Sequence, residues 1–255
     1  MIAALRRRLR DVALLRRAVV PVLAMLRPAD TLADWVAFPM YHHFRAGDRA
    51  GFQAQLRAMR SQADFVTLDD AVAMLSQPHL SGRHICITFD DGWRGPFEHA
   101  WPILADHGVP TTFFVVPGWI DDGGTASQGG WQEVAGWDEC RRLAAAGATI
   151  GSHSTTHARL AQLDAPAARA QLAASRRRIE AELGRPCRHF ACPWGQPVED
   201  YLPDRDPVAA RDAGYSSFLT TIRGRARKGS GPWAIPRIRL EPGWGAAELR
   251  YALSS

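Results

Sequence analysis

No stretch of this 255-residue sequence is apolar for long enough to cross a bilayer as a helix. The apolar run Ala18 to Leu26 has nine residues and is bracketed by Arg16, Arg17 and Arg27. A basic stretch before an apolar one also fits an export signal, but no A-x-A cleavage pattern follows it. Two readings of residues 1–34 stand side by side: a basic amphipathic helix lying on a membrane surface, and a helix packed on the domain's own flank. The first predicts a cytoplasmic protein, or one peripheral on the cytoplasmic membrane face, with export as the alternative. Cysteine is scarce too. The four residues Cys86, Cys140, Cys187 and Cys192 form no CxxC pair, so a disulfide framework is not expected in a chain of this size. A Cys187–Cys192 bridge is conceivable but not expected, and Cys86, in an apolar strand pattern, reads as a small buried hydrophobe.

The sequence also lacks internal repeats, an interdomain linker and any nucleic-acid recognition motif. The net charge is +5, with basic runs at Arg6, Arg7, Arg8, Arg10, Arg16 and Arg17 and at Arg223, Arg225, Arg227 and Lys228. Without a motif these runs read as a solvated face or an anionic-membrane contact, not as a nucleic-acid site. A hydrophobic fraction of 46% is enough to bury a core, which excludes disordered and fibrous classes. One domain over residues 35–255 is the expectation.

Strand and helix patterns alternate. Strands are expected at Trp35–Tyr41, Phe65–Leu68, His84–Phe89, Thr111–Val116, Ala148–Gly151, Arg188–Ala191, Tyr215–Thr220 and Ile235–Leu240. Helices are expected at Phe52–Arg60, Asp69–Leu75, Phe97–His107, Asp138–Ala146, Arg159–Leu183 and Pro207–Ala213. Residues 117–136, rich in Gly, Asp and Ser, read as a long loop. Parallel βαβ units follow, and about seven strands over this length predict a closed or nearly closed barrel.

Polar residues cluster where these strands end, the usual place for a barrel's active site. In Thr88-Phe89-Asp90-Asp91-Gly92, two adjacent carboxylates are costly if both are ionised and desolvated, and a divalent cation removes that cost for one. A turn or helix cap is the plainer alternative. In Gly151-Ser152-His153-Ser154-Thr155-Thr156-His157, two imidazoles four positions apart can converge on one metal if the segment turns like a helix. Two unrelated surface histidines are the plainer alternative. In Phe190-Ala191-Cys192-Pro193-Trp194-Gly195, Pro and Gly fix a turn from which Trp194 can stack on a sugar; the alternative is a core Trp in a simple loop.

These three motifs, in this order, resemble the polysaccharide deacetylases of the NodB-homology type, carbohydrate esterase family 4. Gly136-Trp137-Asp138 through Leu143 and Gly147 to Ile150-Gly151-Ser152-His153 is similar to the same family. Tyr41-His42 and Ile235-Pro236-Arg237-Ile238 look like a subgroup that includes biofilm exopolysaccharide deacetylases. The resemblance covers roughly residues 36 to 240. It implies a distorted (β/α)7 barrel and hydrolysis of an N-acetyl group on an N-acetylhexosamine-containing polysaccharide or glycolipid. It implies that Asp91, His153 and His157 hold a divalent metal, Zn²⁺ with Co²⁺, Ni²⁺ or Mn²⁺ as alternatives. Asp90 would take the proton of the attacking water, and a backbone N–H near Trp194 would help hold the oxyanion. Trp194, Pro193 and Tyr41 are the candidate substrate contacts.

Two departures from the family pattern matter. Many members carry Arg where this chain has Ala191, and Arg237 is the expected substitute that orients Asp90. Many also draw their general acid from a late Leu-x-His motif, but His189 is the only histidine after His157. His42 is the candidate acid, with His43 or water acting alone as alternatives. These losses admit a catalytically weak or inactive glycan-binding homologue, and O-acetyl esterase activity is a further alternative. A non-haem iron oxygenase also uses two histidines and a carboxylate, but with the acid beside one His, whereas here it lies far upstream.

Overall fold

The computed structural model describes residues 34–124 and 133–253. The basic segment expected over residues 1–34 therefore lies, except for Asp34, outside the described residues. Ten strands are described: β1 Trp35–Ala37, β2 Pro39–Tyr41, β3 Asp64–Phe65, β4 Arg83–Ile85, β5 Ile87–Phe89, β6 Thr111–Val115, β7 Thr149–Ser152, β8 His189–Ala191, β9 Ser217–Arg223 and β10 Ile235–Arg239. Seven close into a parallel barrel in the order β10-β2-β5-β6-β7-β8-β9, and β1, β4 and β3 form a small parallel sheet beside it. This is the closed barrel that the alternating pattern predicts, and its seven strands match the (β/α)7 barrel that the resemblance implies.

Two segments expected as single strands are each broken. Trp35–Tyr41 divides at Phe38, because Pro39 has no N–H to carry a ladder through the middle of a strand. His84–Phe89 divides at Cys86, whose N–H donates to Ala37 O at 2.9 Å and ties the two breaks together. Below the breaks β1 pairs with β4; above them β2 pairs with β5, Met40 opposite Thr88 and Tyr41 opposite Phe89.

The helices are α1 Arg49–Arg60, α2 Leu68–Ser76, α3 Trp101–Asp106, α4 Pro117–Asp121, α5 Trp137–Ala145, α6 Ala165–Leu183, α7 Asp206–Asp212 and α8 Ala246–Leu253. Local chemistry sets their ends. Thr67 caps α2 by accepting from Asp70 N, and Asp164 caps α6 by accepting from Ala167 N at 2.8 Å. Gly184 ends α6 in the left-handed conformation that closes a helix without a Cβ clash. The expected helix from Arg159 therefore starts later, at Ala165. A wide π-helical turn, Pro96–Ala100, precedes α3, and α4 lies inside the segment expected to be all loop.

Strand alternation divides the core. Ile87, Phe89, Phe113, Ile150, Phe190 and Phe218 point outward to the helices, while Phe38, Phe114, Ala191, Leu219 and Ile235 fill the barrel. Leu68, Ala71 and Leu75 of α2 pack on this inner cluster. At that end His189, the first residue of β8, lies between Ser217 Oγ at 2.9 Å and Asp69 Oδ1 at 3.3 Å. The opposite, C-terminal ends of the strands are left for polar side chains. All four cysteines are buried and free, so the conceivable Cys187–Cys192 bridge is absent. No described helix is long and apolar enough to cross a membrane.

Candidate active site

Asp90 continues the alternation of β5. Thr88 points into the barrel, Phe89 outward and Asp90 inward again, with Asp90 N donating to Tyr41 O at 2.9 Å. An extended Asp91 would then face away. It takes φ +72° instead, a left-handed conformation that Asp tolerates better than most residues, and this turns its carboxylate back to the mouth. Gly92 follows at φ +72°, and a Cβ there would press on Val115 at 3.2 Å.

His153 follows β7 and is anchored by its N–H to Val115 O at 2.9 Å. Its Nδ1 donates to Ala191 O at 2.7 Å, which leaves Nε2 as the lone-pair nitrogen, 3.4 Å from Asp91 Oδ1. His157 Nε2 lies 3.3 Å from the same oxygen. The two histidines meet, but not through the helical turn expected from their spacing. Ser154 and His157 have φ +61° and +59°, so an irregular loop with two left-handed residues does the folding back. The His157 ring is packed against Trp119 at 5.0 Å and Trp194 at 5.2 Å between centroids.

These three donors suit a divalent ion, their ligand atoms all lying within 4.8 Å of one another. Ligand atoms about 2.1 Å from a tetrahedral Zn²⁺ stand about 3.4 Å apart, which is the spacing of Asp91 Oδ1 from each imidazole. Asp91 Oδ1 is buried without a hydrogen-bond partner among the described residues, while its Oδ2 accepts from Trp93 Nε1 at 2.9 Å. Electrostatics agree. Burial would raise the Asp91 carboxyl, but the adjacent His153 and His157 and the field of His42 outweigh it and hold it well below the usual range. Burial lowers the His157 imidazole, against the pull of Asp91, and favours the neutral ring that a metal takes.

Asp90 has a different partner. Arg237 Nη1 and Nη2 each lie 2.7 Å from one Asp90 oxygen, a bidentate pair buried inside the barrel. Arg237 Nε donates to Thr220 O at 2.8 Å, and its guanidinium lies over Phe114 at 5.8 Å. Ala191 shares the inner cluster with Phe114, so the small residue and the guanidinium occupy one crowded layer. Burial would raise the Asp90 carboxyl. Arg237 first, then His153 and His42, reverses the sign and keeps it below its ordinary value.

His42, one residue past β2, feels both carboxylates. Burial lowers its pKa against the opposing pull of Asp91 and Asp90, and its Nδ1 is buried without a partner among the described residues. His43 is exposed beside Trp93 at 5.4 Å. Trp194 borders the site with 42% of its surface exposed. Two expected substrate contacts are corrected. Tyr41 is fully buried on the outside of the barrel, donates to Gln55 Oε1 at 2.8 Å and stacks on Phe89, because strand alternation turns it away from the mouth. Pro193 is buried in the turn and presents no open face. Sequence reading missed Arg159, whose guanidinium covers Trp194 at 4.5 Å; its place two residues past His157 is the only signal for it.

Comparison with known proteins follows the same line. Residues 78–217 match the sequence model of the family described as Polysaccharide deacetylase. A putative polysaccharide deacetylase, YxkH, from Bacillus subtilis is 26% identical over 211 residues, 80% of this chain and 71% of that protein. A chitooligosaccharide deacetylase from Rhizobium leguminosarum bv. trifolii is 36% identical over 89 residues, 33% of this chain and 34% of that protein. The fold is shared with Streptococcus pyogenes deacetylase PplD, solved with acetate, at a TM-score of 0.72 and 20% identity over 87% of this chain and 98% of that one. It is shared also with IcaB from Ammonifex degensii, at 0.70 and 24% over 87% and 97%. With the family match covering more than half of its length and the barrel in place, the chain belongs to the polysaccharide deacetylase family.

Proposed function

We propose that this deacetylase is metal-dependent and removes the N-acetyl group from an N-acetylhexosamine unit of a polysaccharide or glycolipid. The observation that carries the reading is the pairing of two functions at one mouth. Asp91 Oδ1, with no hydrogen-bond partner, stands 3.3 and 3.4 Å from two imidazole nitrogens, and Asp90 beside it is held in both oxygens by Arg237. Asp91, His153 and His157 would hold the ion, Zn²⁺ first and Co²⁺, Ni²⁺ or Mn²⁺ as alternatives. Bound there, it supplies Lewis acidity toward the acetyl carbonyl and toward a water.

The chain's own residues divide the remaining work. Asp90 accepts a proton from the water that adds to the acetyl carbon; Arg237 keeps Asp90 ionised and aimed. A backbone N–H near Trp194 helps hold the oxyanion of the tetrahedral adduct. His42 delivers a proton to the nitrogen as the C–N bond breaks, so a free amine and acetate leave. The name of the Rhizobium relative supports N-acetylglucosamine oligomers as the first substrate to try. Acetate release from such oligomers and from an N-acetylated glycolipid, compared between chelated and Zn²⁺-loaded protein, tests the reading. Release that needs metal and disappears in Asp90→Asn supports it; glycan binding without release in either state overturns it.

The basic residues of 1–34 support a second part of the reading, peripheral contact with an anionic membrane face. Sedimentation with anionic vesicles checks it, and indifference to them rejects it.

A further inference from the structure

The segment that carries His153 and His157 leaves regular structure after Ser152, the last residue of β7. Ser154 and His157 flank Thr155 and Thr156 in left-handed conformations, φ +61° and +59°. Such conformations persist in residues with side chains only where surrounding contacts over-determine them. The strand ladders cannot supply those contacts, because they reach only Ser152, paired with Val115 on one side and Phe190 on the other. The N–H groups of Thr155 and Thr156 therefore need acceptors elsewhere. Both donate to one atom, Oε1 of Gln171, at 3.0 and 3.1 Å. Gln171 Nε2 donates to Thr156 Oγ1 at 3.1 Å, and the Thr155 hydroxyl donates to the Gln171 carbonyl at 3.0 Å.

Gln171 stands on α6, beside the stripe Ala168, Leu172, Ser175 and Ile179 that the helix buries. One turn further on, Ser175 Oγ accepts from Ser152 Oγ at 2.8 Å. Residues four apart on a helix share a face, so α6 grips the segment twice: before His153 through Ser175, and between the two histidines through Gln171. From α4, Gly118 N donates to Thr155 O at 2.8 Å, and Trp119 packs on the His157 ring. Those contacts hold a carbonyl and a ring, and Gln171 takes the N–H groups. We propose that Gln171 is a positioning residue for the metal centre: by holding Thr155 and Thr156 it presets His157, so that the ion meets a site already formed. The inference rests on the reading of Asp91, His153 and His157 as ligands, and it adds a residue outside that set. The physical reason is entropic. A loop that the ion itself must order weakens binding by the cost of that ordering, and a loop ordered by Gln171 does not.

The test titrates Zn²⁺ into the chelated full chain against a chromophoric chelator, and follows acetate release on the same samples. Gln171→Met, close in size but with no acceptor for the two N–H groups, is expected to weaken Zn²⁺ binding about 10- to 100-fold. Gln171→Glu keeps an acceptor for both and is expected to bind close to wild type. Gln171→Ala leaves room for water at the two N–H groups, shifts affinity less in the same direction, and serves where Met disturbs folding. In a His157→Ala background, Gln171→Met adds little further loss, because its effect runs through His157. Ile179→Ala, two turns further along α6, separates positioning from stability: it opens the core under the helix without touching the loop, and Zn²⁺ affinity should hold. Unchanged affinity in both Gln171→Met and Gln171→Ala, a Gln171→Glu variant as weak as Gln171→Met, or an equal loss in Ile179→Ala overturns the proposal. A wild type that binds Zn²⁺ yet releases no acetate overturns the deacetylase reading alone, and weaker Zn²⁺ binding in Gln171→Met still supports the positioning role. A wild type that takes up no divalent ion overturns both.

Discussion

Asp90 and Asp91 are adjacent, yet one faces a guanidinium and the other two imidazoles. The division follows from one backbone angle at Asp91, and it makes distinct predictions for each partner. In Arg237→Gln, Asp90 stays buried without its cation, so burial governs and its pKa rises. The acid limb of kcat/KM then moves to higher pH, and turnover at neutral pH falls. The stability sign is equally defined. A depressed carboxylate contributes stability above its unfolded value and loses it as pH falls through the folded value. Arg237→Gln therefore costs about 3–5 kcal/mol at neutral pH and less in acid, as denaturant unfolding at the two pH values would show. An unmoved pH profile would remove Arg237 from its role. For His42, an acid serving the leaving group matters for an amine and hardly at all for a phenolate. His42→Ala is expected to lower kcat about 10²-fold or more on an N-acetyl substrate and far less on an aryl acetate. Equal losses on the two would make His42 a structural neighbour. At this scale the sequence displayed the residues but not their directions. The Asp90-Asp91 and His153-His157 motifs stood out by type and spacing, and the roles proposed for them came from the family resemblance that they carry. Tyr41 was misread because one step of strand alternation turns it outward, and Arg159 was missed because its partner Trp194 lies on a different loop.

At the scale of elements, each piece of the site is held by an exception to regular structure. Gly151 lies inside β7, and a Cβ there would sit 2.5 Å from two atoms of the Phe114 ring that fills the barrel. Gly151→Ala is expected to destabilise the protein by about 1–3 kcal/mol, and Phe114→Leu in the same chain to recover part of it. Thermal unfolding of the single and double variants checks this; a neutral Gly151→Ala would mean that Phe114 can move. The barrel strands and most helices were visible in hydrophobic periodicity, because burial on one face or two is written in every residue. The breaks at Phe38 and Cys86 were not, since an apolar run reads the same whether it serves one sheet or two in succession. Helix α8 was overlooked for a related reason: its buried positions, Leu249, Ala252 and Leu253, form a short apolar face after the last strand.

At the scale of the molecule, the barrel gathers chemistry that is scattered in sequence. Asp90 and Asp91 follow β5, His153 follows β7, Trp194 lies beyond β8, and Arg237 comes from β10. Parallel strands bring all of these to one mouth, while α2 packs on the inner core at the other end. That convergence explains why an Arg from β10 can stand where the family often uses a residue on β8: both strands point into the same interior layer, and Ala191 leaves the room. The central claim is that one divalent ion and Asp90 act together at this mouth. The most direct measurement titrates Zn²⁺ into chelated protein and follows bound metal and acetate release on the same preparation. One equivalent should restore release in the wild type. Asp91→Asn should lose both metal and release, and Asp90→Asn should keep the metal and lose release. Undiminished release from the chelated protein, or from Asp90→Asn, would contradict the account.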